Sequence, residues 1–253
     1  KFGELFKSAM AAGGDYLATG HYVRLANLND KYYIQKAKCL AKDQSYVLYH
    51  LPQTILSHVL FPLGEYSKDQ VRAMAKELNL PVFAKKDSQE ICFIPDNDHH
   101  GFMRCYGKLA DKPGNFVDVK GLVLGRHQGL SHYTIGQRKG LGIAAKEPLF
   151  VLDLDKTKNQ VVLGFAQEAA CLGLTAVDVS FSDGNFRTEP FTCQVKIRYN
   201  AKPQEAVVTP DVTNKGASVL FTTPLRGIAP GQAVVFYQDD ICLGGGTIVA
   251  SIH

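Results

Sequence analysis

The sequence predicts an α/β segment followed by β structure, and three observations carry that prediction. The opening residues alternate helix and strand signals. Lys1–Ala12 sets Phe2, Leu5, Phe6, Ala9 and Met10 at helical spacing and stops at Gly13-Gly14, and Asp15–Tyr22 follows as a short apolar strand ending in a glycine loop. A second helix is announced by Ser67 with Gln70 three residues on, the pattern of a capping box. From Gly114 onward glycines and β-branched residues dominate, with short apolar runs separated by turn residues.

Taken in order, the first segment carries more polar punctuation than a plain scaffold needs. Gly20 would let a backbone approach a ligand closely, at the strand end where α/β sheets bind ligands, and His21 is placed to contact a phosphate or base. An ordinary surface histidine is the competing reading. Lys31–Cys39 carries Tyr32, Tyr33 and Ile34 and reads as a strand or hairpin arm. In Lys42-Asp43-Gln44-Ser45-Tyr46, Asp43 or Ser45 could cap a helix, or Lys42 and Gln44 could face a phosphate backbone. Leu51–His58 is expected to be helical and Phe61-Pro62-Leu63-Gly64 a turn. The Ser67 helix presents Val71, Met74, Ala75 and Leu78 on one face and ends at Asn79-Leu80-Pro81.

That helix leads to Lys85-Lys86-Asp87-Ser88-Gln89-Glu90-Ile91-Cys92-Phe93-Ile94-Pro95. Lys85 and Lys86 favour a thiolate at Cys92, because nearby positive charge stabilises the reactive anion. A small buried hydrophobe in a strand is the alternative. Beyond Pro95, Asp96–His100 marks a domain boundary. The His99-His100 pair has no Cys or carboxylate cluster at a matching spacing, so no structural metal is expected.

The second part holds Gly125–Gly142, with five glycines among Arg126, Arg138 and Lys139. It is not a Walker A loop, since the G-x-x-x-x-G-K-[ST] order is absent and the nearest candidate is followed by Leu141. Its glycine turns with Arg138 and Lys139 suit phosphates, and a hairpin with solvated charges is the competing account. From about Gly173 the chain reads as all-β. Val195–Tyr199, Glu205–Thr209, Ala217–Phe221, Ala233–Tyr237 and Gly246–Ile252 are spaced as a small barrel. Arg198 and Tyr199 pair a phosphate-binding group with a ring able to stack on a base, and Gln232 presents an amide on a turn.

Composition bounds the possibilities. At 253 residues the chain can bury a sizeable core, and a net charge of +4 permits an RNA partner without demanding one. Six cysteines stand singly with no C-x-x-C pair, which argues against a zinc ribbon or a secreted disulfide scaffold. No apolar run suffices to cross a bilayer and no signal peptide is visible, so a reducing cytoplasm is the expected compartment and no membrane partner is expected.

ATGHY (18–22), KDQSY (42–46), DSQEICFI (87–94), GxHxGLxxxTIGQRKGLGI (125–143), KxRY (196–199), PGQ with VFY (230–237) and CLGGG (242–246) occur together and in order. The series closely resembles the tRNA-specific 2-thiouridylase family, of the PP-loop ATPase superfamily. The resemblance implies a partial PP-loop (adenine nucleotide α-hydrolase-like) domain over 1–95, a β-rich central tRNA-binding domain over 96–165 and a C-terminal β-barrel over 166–253. It implies ATP, with Mg, as cofactor and sulfur transfer to C2 of a wobble uridine in the anticodon arm of tRNA. It further implies a sulfur-relay protein or cysteine desulfurase as donor. Cys92 matches the persulfide-bearing cysteine, and Gly20 a nucleotide-binding position. His21, Lys42, Asp43, Gln44, Arg198, Tyr199 and Gln232 match tRNA-contacting positions.

The same resemblance brings an SGGxDS-type phosphate loop and a second active-site cysteine, and these residues contain neither. The chain is therefore expected to be N-terminally truncated and not to thiolate tRNA alone. A non-catalytic tRNA-binding module is the alternative that this departure favours. An RNA methyltransferase is disfavoured, because no glycine-rich adenosylmethionine loop follows a first strand. A monomer binding one tRNA is the plain expectation.

Overall fold

The computed structural model describes residues 1–81, 83, 101–102 and 112–253. Cys92 with its flanking residues 85–95, and His99-His100, lie outside the described residues. The described chain forms two compact units. The first comprises the described part of Lys1–Lys85 with Gly173–Thr223 and Pro230–Ile252. The second comprises the described part of Lys86–Leu172 with Pro224–Ala229 and His253.

The first unit begins with α1 (Glu4–Ala11), ended as expected by Gly13 at φ 86°. The strand expected over Asp15–Tyr22 is shorter and less buried than its apolar character suggested. Only Leu17–Ala18 (β1) pairs, in parallel with β4 (Val59–Leu60). Between them lie a hairpin, β2 (Val23–Leu28) and β3 (Lys31–Lys36), and α2 (Gln53–Leu56), a single turn where a helix over Leu51–His58 was expected. Asn29 and Asp30 both take left-handed φ, 51° and 61°, which closes the hairpin with the right-handed twist of its strands. The capping box is present in α3 (Lys68–Glu77): Gln70 N–H donates to Ser67 Oγ, and Ser67 N–H donates to Gln70 Oε1. The expected apolar face of α3 is only half-buried, and Leu78 is exposed.

Five expected strands of the last third are present, with a sixth that was not expected, β9 (Ala170–Phe181), ahead of them. The others are β10 (Phe191–Lys196), β11 (Gln204–Asp211), β12 (Gly216–Arg226), β13 (Ala233–Gln238) and β14 (Ile241–Ile252). They neighbour one another in the order β13-β10-β11-β12-β9-β14, and β14 pairs back to β13 to close a six-stranded barrel. Closure needs close backbone approach. A Cβ on Gly244 would stand 2.0 Å from the Ser180 carbonyl oxygen, and one on Gly245 2.3 Å from that of Val234. The CLGGG motif is thus a packing requirement of β14. The β2–β3 hairpin continues the sheet beyond β14, with Gln35 opposite Ile241. Val23, Ile34, Tyr46, Leu48, Leu56 and Val59 pack into one core with Val235, Tyr237 and Cys242 of the barrel.

The second unit is a four-stranded sheet. Its strands β5 (Gly114–Val117), β6 (Val123–His127), β7 (Phe150–Asp155) and β8 (Gln160–Gly164) lie in the order β6-β5-β8-β7. Phe116, Leu141, Leu149, Val151, Val161 and Leu163 form its core. Gly125, Arg126 and His127 belong to β6, so the loop expected over Gly125–Gly142 begins only after His127. No helix among the described residues is long and apolar enough to cross a membrane.

Candidate nucleic-acid interface

The turn Lys42–Tyr46 is built around a buried carboxylate. Asp43 Oδ1 accepts from the N–H of Ala37 at 2.9 Å and of Ser45 at 3.3 Å, and Oδ2 accepts the Ser45 hydroxyl at 2.6 Å. Ser45 Oγ lies 3.1 Å from the Tyr237 hydroxyl on β13, so the turn is tied to the barrel interior. Neither Asp43 nor Ser45 caps a helix, contrary to the local sequence pattern. The short 3₁₀ turn over Ser45–Val47 has no side-chain cap from its N-cap residue Gln44, and the Asp43 carboxylate is committed to Ala37 and Ser45.

Gln44 is likewise committed at one end. Its Oε1 accepts the Tyr22 N–H at 2.9 Å. The side-chain amide is thereby oriented with its nitrogen away from Tyr22, since a main-chain N–H needs an oxygen there. The residue beside Tyr22, His21, receives or donates a hydrogen bond at 2.9 Å between Nδ1 and Thr19 Oγ1, and its ring packs on Phe2 and Phe61. Burial holds its pKa below the usual imidazole value. Gly20 is exposed two residues after β1, and a Cβ there would meet Leu63 Cδ1 at 3.6 Å, an ordinary contact. The fold does not require a glycine at that point.

The strand expected over Val195–Tyr199 ends at Lys196, and Arg198 and Tyr199 stand in the turn beyond it. This turn meets the Lys42–Tyr46 turn. The Tyr46 and Tyr199 rings lie edge to face at 6.3 Å, and Lys196 Nζ sits 5.8 Å from the first ring and 5.9 Å from the second. Tyr46 OH donates to the Ala233 carbonyl at 2.8 Å, which fixes its ring. Burial pushes the Tyr46 hydroxyl up to about 12, and the neighbouring Arg198 guanidinium opposes that rise. Burial also lowers the pKa of Lys196, opposed by the Asp43 carboxylate and reinforced by Lys36. Tyr199 is 39% exposed, and its hydroxyl is pushed up by burial and by Asp43.

The fold therefore gathers Lys42, Asp43, Gln44, Arg198 and Tyr199 from two distant stretches into one place. Lys196, Lys36 and Tyr46 join them and were not singled out from sequence, although Lys196 and Tyr46 lie inside the quoted motifs. Lys36 Nζ rests 4.8 Å over the Tyr237 ring and donates to the Asp239 carbonyl at 2.6 Å. Gln232 is exposed in a turn where Gly231 takes φ 84°, and its carbonyl accepts the Ile248 N–H at 2.8 Å. Such a surface can hold phosphate oxygens on its cations and a base on its exposed ring.

In the second unit Arg138 and Lys139 are exposed at the edge of an open depression lined by residues 138–149, Lys146 and Glu147 among them. Among the described residues of the unit His127 is the buried polar side chain, 2% exposed. Its Nε2 lies 3.2 Å from the Asn159 carbonyl and its Nδ1 has no partner. Among the described residues no group of three or more metal-ligating side chains converges.

The family described as "tRNA methyl transferase HUP domain" matches residues 1–96. That described as "tRNA methyl transferase PRC-barrel domain" matches 102–165, and "Aminomethyltransferase beta-barrel domain" matches 172–248. The chain is 49% identical over 248 residues to tRNA-specific 2-thiouridylase MnmA of Clostridium acetobutylicum, covering 98% of this chain and 70% of that one. It is 51% identical over 250 residues to the MnmA of Carboxydothermus hydrogenoformans, covering 98% and 68%. A Thermoanaerobacter pseudethanolicus relative, tRNA-specific 2-thiouridylase MnmA 1, is 49% identical over 255 residues, covering 100% and 70%.

Proposed function

The chain belongs to the tRNA-specific 2-thiouridylase family, and from that premise we propose that it serves the transfer of sulfur to C2 of a wobble uridine in tRNA. One observation carries the RNA half of this reading. Lys196 Nζ lies within 6 Å of both the half-exposed Tyr199 and its edge-to-face partner Tyr46, while the charge of Lys42 acts on the Tyr199 hydroxyl and that of Arg198 on the Tyr46 hydroxyl, cations for phosphates beside a ring for a base. Within that surface Asp43 acts as a positioning residue. Its carboxylate is buried and accepts three hydrogen bonds, two from Ser45 in its own turn and one from the Ala37 N–H after β3. Lys42, Gln44, His21, Arg198, Tyr199 and Gln232 are the tRNA contacts of the first unit, and Arg138 and Lys139 those of the second.

Cys92 is the residue that carries the sulfur, as a persulfide loaded by a sulfur-relay protein or cysteine desulfurase. The residues present fit one edge of a nucleotide: Gly20 is open, follows β1 and has no packing reason to be glycine. ATP, when bound, supplies the adenylyl group that turns the C2 oxygen into a leaving group. No SGGxDS-type loop occurs in these residues, so no phosphate contact is assigned. The protein acts in the cytoplasm, as a monomer on one tRNA.

The experiment is tRNA thiolation with ATP and a persulfide donor, read as 2-thiouridine by mass spectrometry. Residues 1–253 supplied with the phosphate-loop segment of a relative form 2-thiouridine, the Cys92→Ser variant forms none, and residues 1–253 alone form none. Full activity of Cys92→Ser overturns the assignment of Cys92. Methyl transfer from labelled adenosylmethionine without sulfur incorporation overturns the reaction class.

A further inference from the structure

We propose that Gln137 is the positioning residue that presents Arg138 and Lys139 to RNA phosphates. The proposal rests on the tRNA-binding reading and concerns how the second unit achieves it. The segment after β6 is not a loose loop. Gly136 N–H donates to the Val151 carbonyl at 2.8 Å, and Val151 N–H donates to the Gln137 carbonyl at 2.9 Å, so the Gln137 backbone is paired with β7. Val151 is 1% exposed, which makes this a fixed anchor in the core of the unit.

From that anchor the side chain reaches both ways along its own loop. Gln137 Oε1 accepts the Thr134 N–H at 3.0 Å, and Nε2 donates to the Lys139 carbonyl at 3.0 Å. An amide is the group this clamp needs, because one end must accept and the other donate. Gly136 just before Gln137 and Gly140 just after Lys139 take φ 84° and 76°, left-handed turns that glycine adopts without a Cβ penalty. The result is a rigid span whose two intervening side chains, Arg138 and Lys139, stay exposed at the rim of the depression. Lys146 lines the same depression and adds a third cation, and Glu147 lines it as well. Cations held on a fixed backbone lose less freedom on meeting a phosphate than cations on a mobile loop.

A double-mutant cycle on tRNA binding by residues 1–253 tests this. Gln137→Met removes both ends of the clamp while keeping side-chain length and charge. It is expected to weaken binding about tenfold in the wild-type background, the order expected when two long side chains must be ordered anew. In an Arg138→Ala/Lys139→Ala background the same change is expected to cost less than twofold, because Gln137 then has nothing to present. Equal costs in both backgrounds, or no cost in either, overturn the proposal. Should Gln137→Met unfold the unit, Gln137→Asn repeats the cycle, its amide being a methylene too short to bridge both ends. Absence of tRNA binding by the wild-type chain overturns the tRNA reading itself, a result distinct from any failure of the cycle.

Discussion

Tyr22 and Gln44 are joined at two points: Tyr22 N–H donates to Gln44 Oε1 at 2.9 Å, and Gln44 N–H donates to the Tyr22 carbonyl at 3.0 Å. Two stretches that look like separate ligand motifs are thus halves of one local structure. Tyr22 is 7% exposed, so its N–H has no recourse to water when the partner is removed. Gln44→Ala is expected to lower stability by about 1–3 kcal/mol, the cost of an unsatisfied buried donor. Gln44→Glu keeps the acceptor and is expected to stay within about 0.5 kcal/mol of wild type. Urea unfolding of the two variants measures both.

Asp43 is expected to show a graded response. Asp43→Ala strands the N–H groups of Ala37 and Ser45 and should cost about 2–4 kcal/mol. Asp43→Asn keeps Oδ1 and can donate from Nδ2 to Ser45 Oγ, whose own proton then turns to the Tyr237 hydroxyl. Its loss is expected to be the smaller of the two. An RNA-contacting carboxylate would give the reverse emphasis, with binding changed and stability untouched. Denaturant unfolding and tRNA affinity of the same variants separate the outcomes.

His127 makes the second unit sensitive to acid. Burial holds its pKa below the usual 6.5, and the positive charges of Arg126 and His132 act in the same direction, against the opposing effect of the bond to the Asn159 carbonyl. In the unfolded chain the imidazole takes up its proton near 6.5, before the folded chain does. Unfolding therefore binds protons in that window, and stability falls as pH drops from about 6.5 towards the folded value and is flat above it. His21 and His50 are shifted the same way in the first unit. Thermal unfolding followed between pH 7.5 and 5.5 should show the loss, reduced in His127→Phe.

Two glycines separate packing from function. At Gly64 a Cβ would lie 1.9 Å from the Val23 carbonyl oxygen, so Gly64→Ala should cost more than about 2 kcal/mol or prevent folding. At Gly20 the nearest atom is Leu63 Cδ1 at 3.6 Å, and Gly20→Ala should fold within about 0.5 kcal/mol of wild type. If Gly20 borders the nucleotide, Gly20→Ala weakens ATP-dependent thiolation in the complemented enzyme while melting normally. Normal thiolation by Gly20→Ala would remove Gly20 from the site.

Much of this was legible in local chemistry. The Ser67–Gln70 cap, the glycine stop at Gly13 and the alternating strands after Gln204 are signals carried by neighbours in sequence, and they appear where expected. What was not legible depends on distant pairing. The strand at Leu17–Ala18 is short because its only described partner, Val59–Leu60, is equally short. The hairpin β2–β3 was half seen, since Asn29-Asp30 is a weaker turn signal than Asn-Gly. Lys196 and Tyr46 gained significance only when the barrel brought the two turns together. Asp43 and Gln44 looked outward in sequence because polar residues in a turn usually are. Their hydrogen bonds to Ala37, Ser45 and Tyr22 show them turned inward at one end or both.

The central claim is that the first unit grips tRNA through the cations around Tyr199. Its most direct test is tRNA binding by residues 1–253 across a salt series, wild type against Lys42→Ala/Arg198→Ala. Wild-type affinity is expected to fall steeply with salt. The variant is expected to bind more weakly, with a log–log slope flatter by about one to two, one for each phosphate contact removed. Equal affinity and equal slope in the two proteins would contradict the claim.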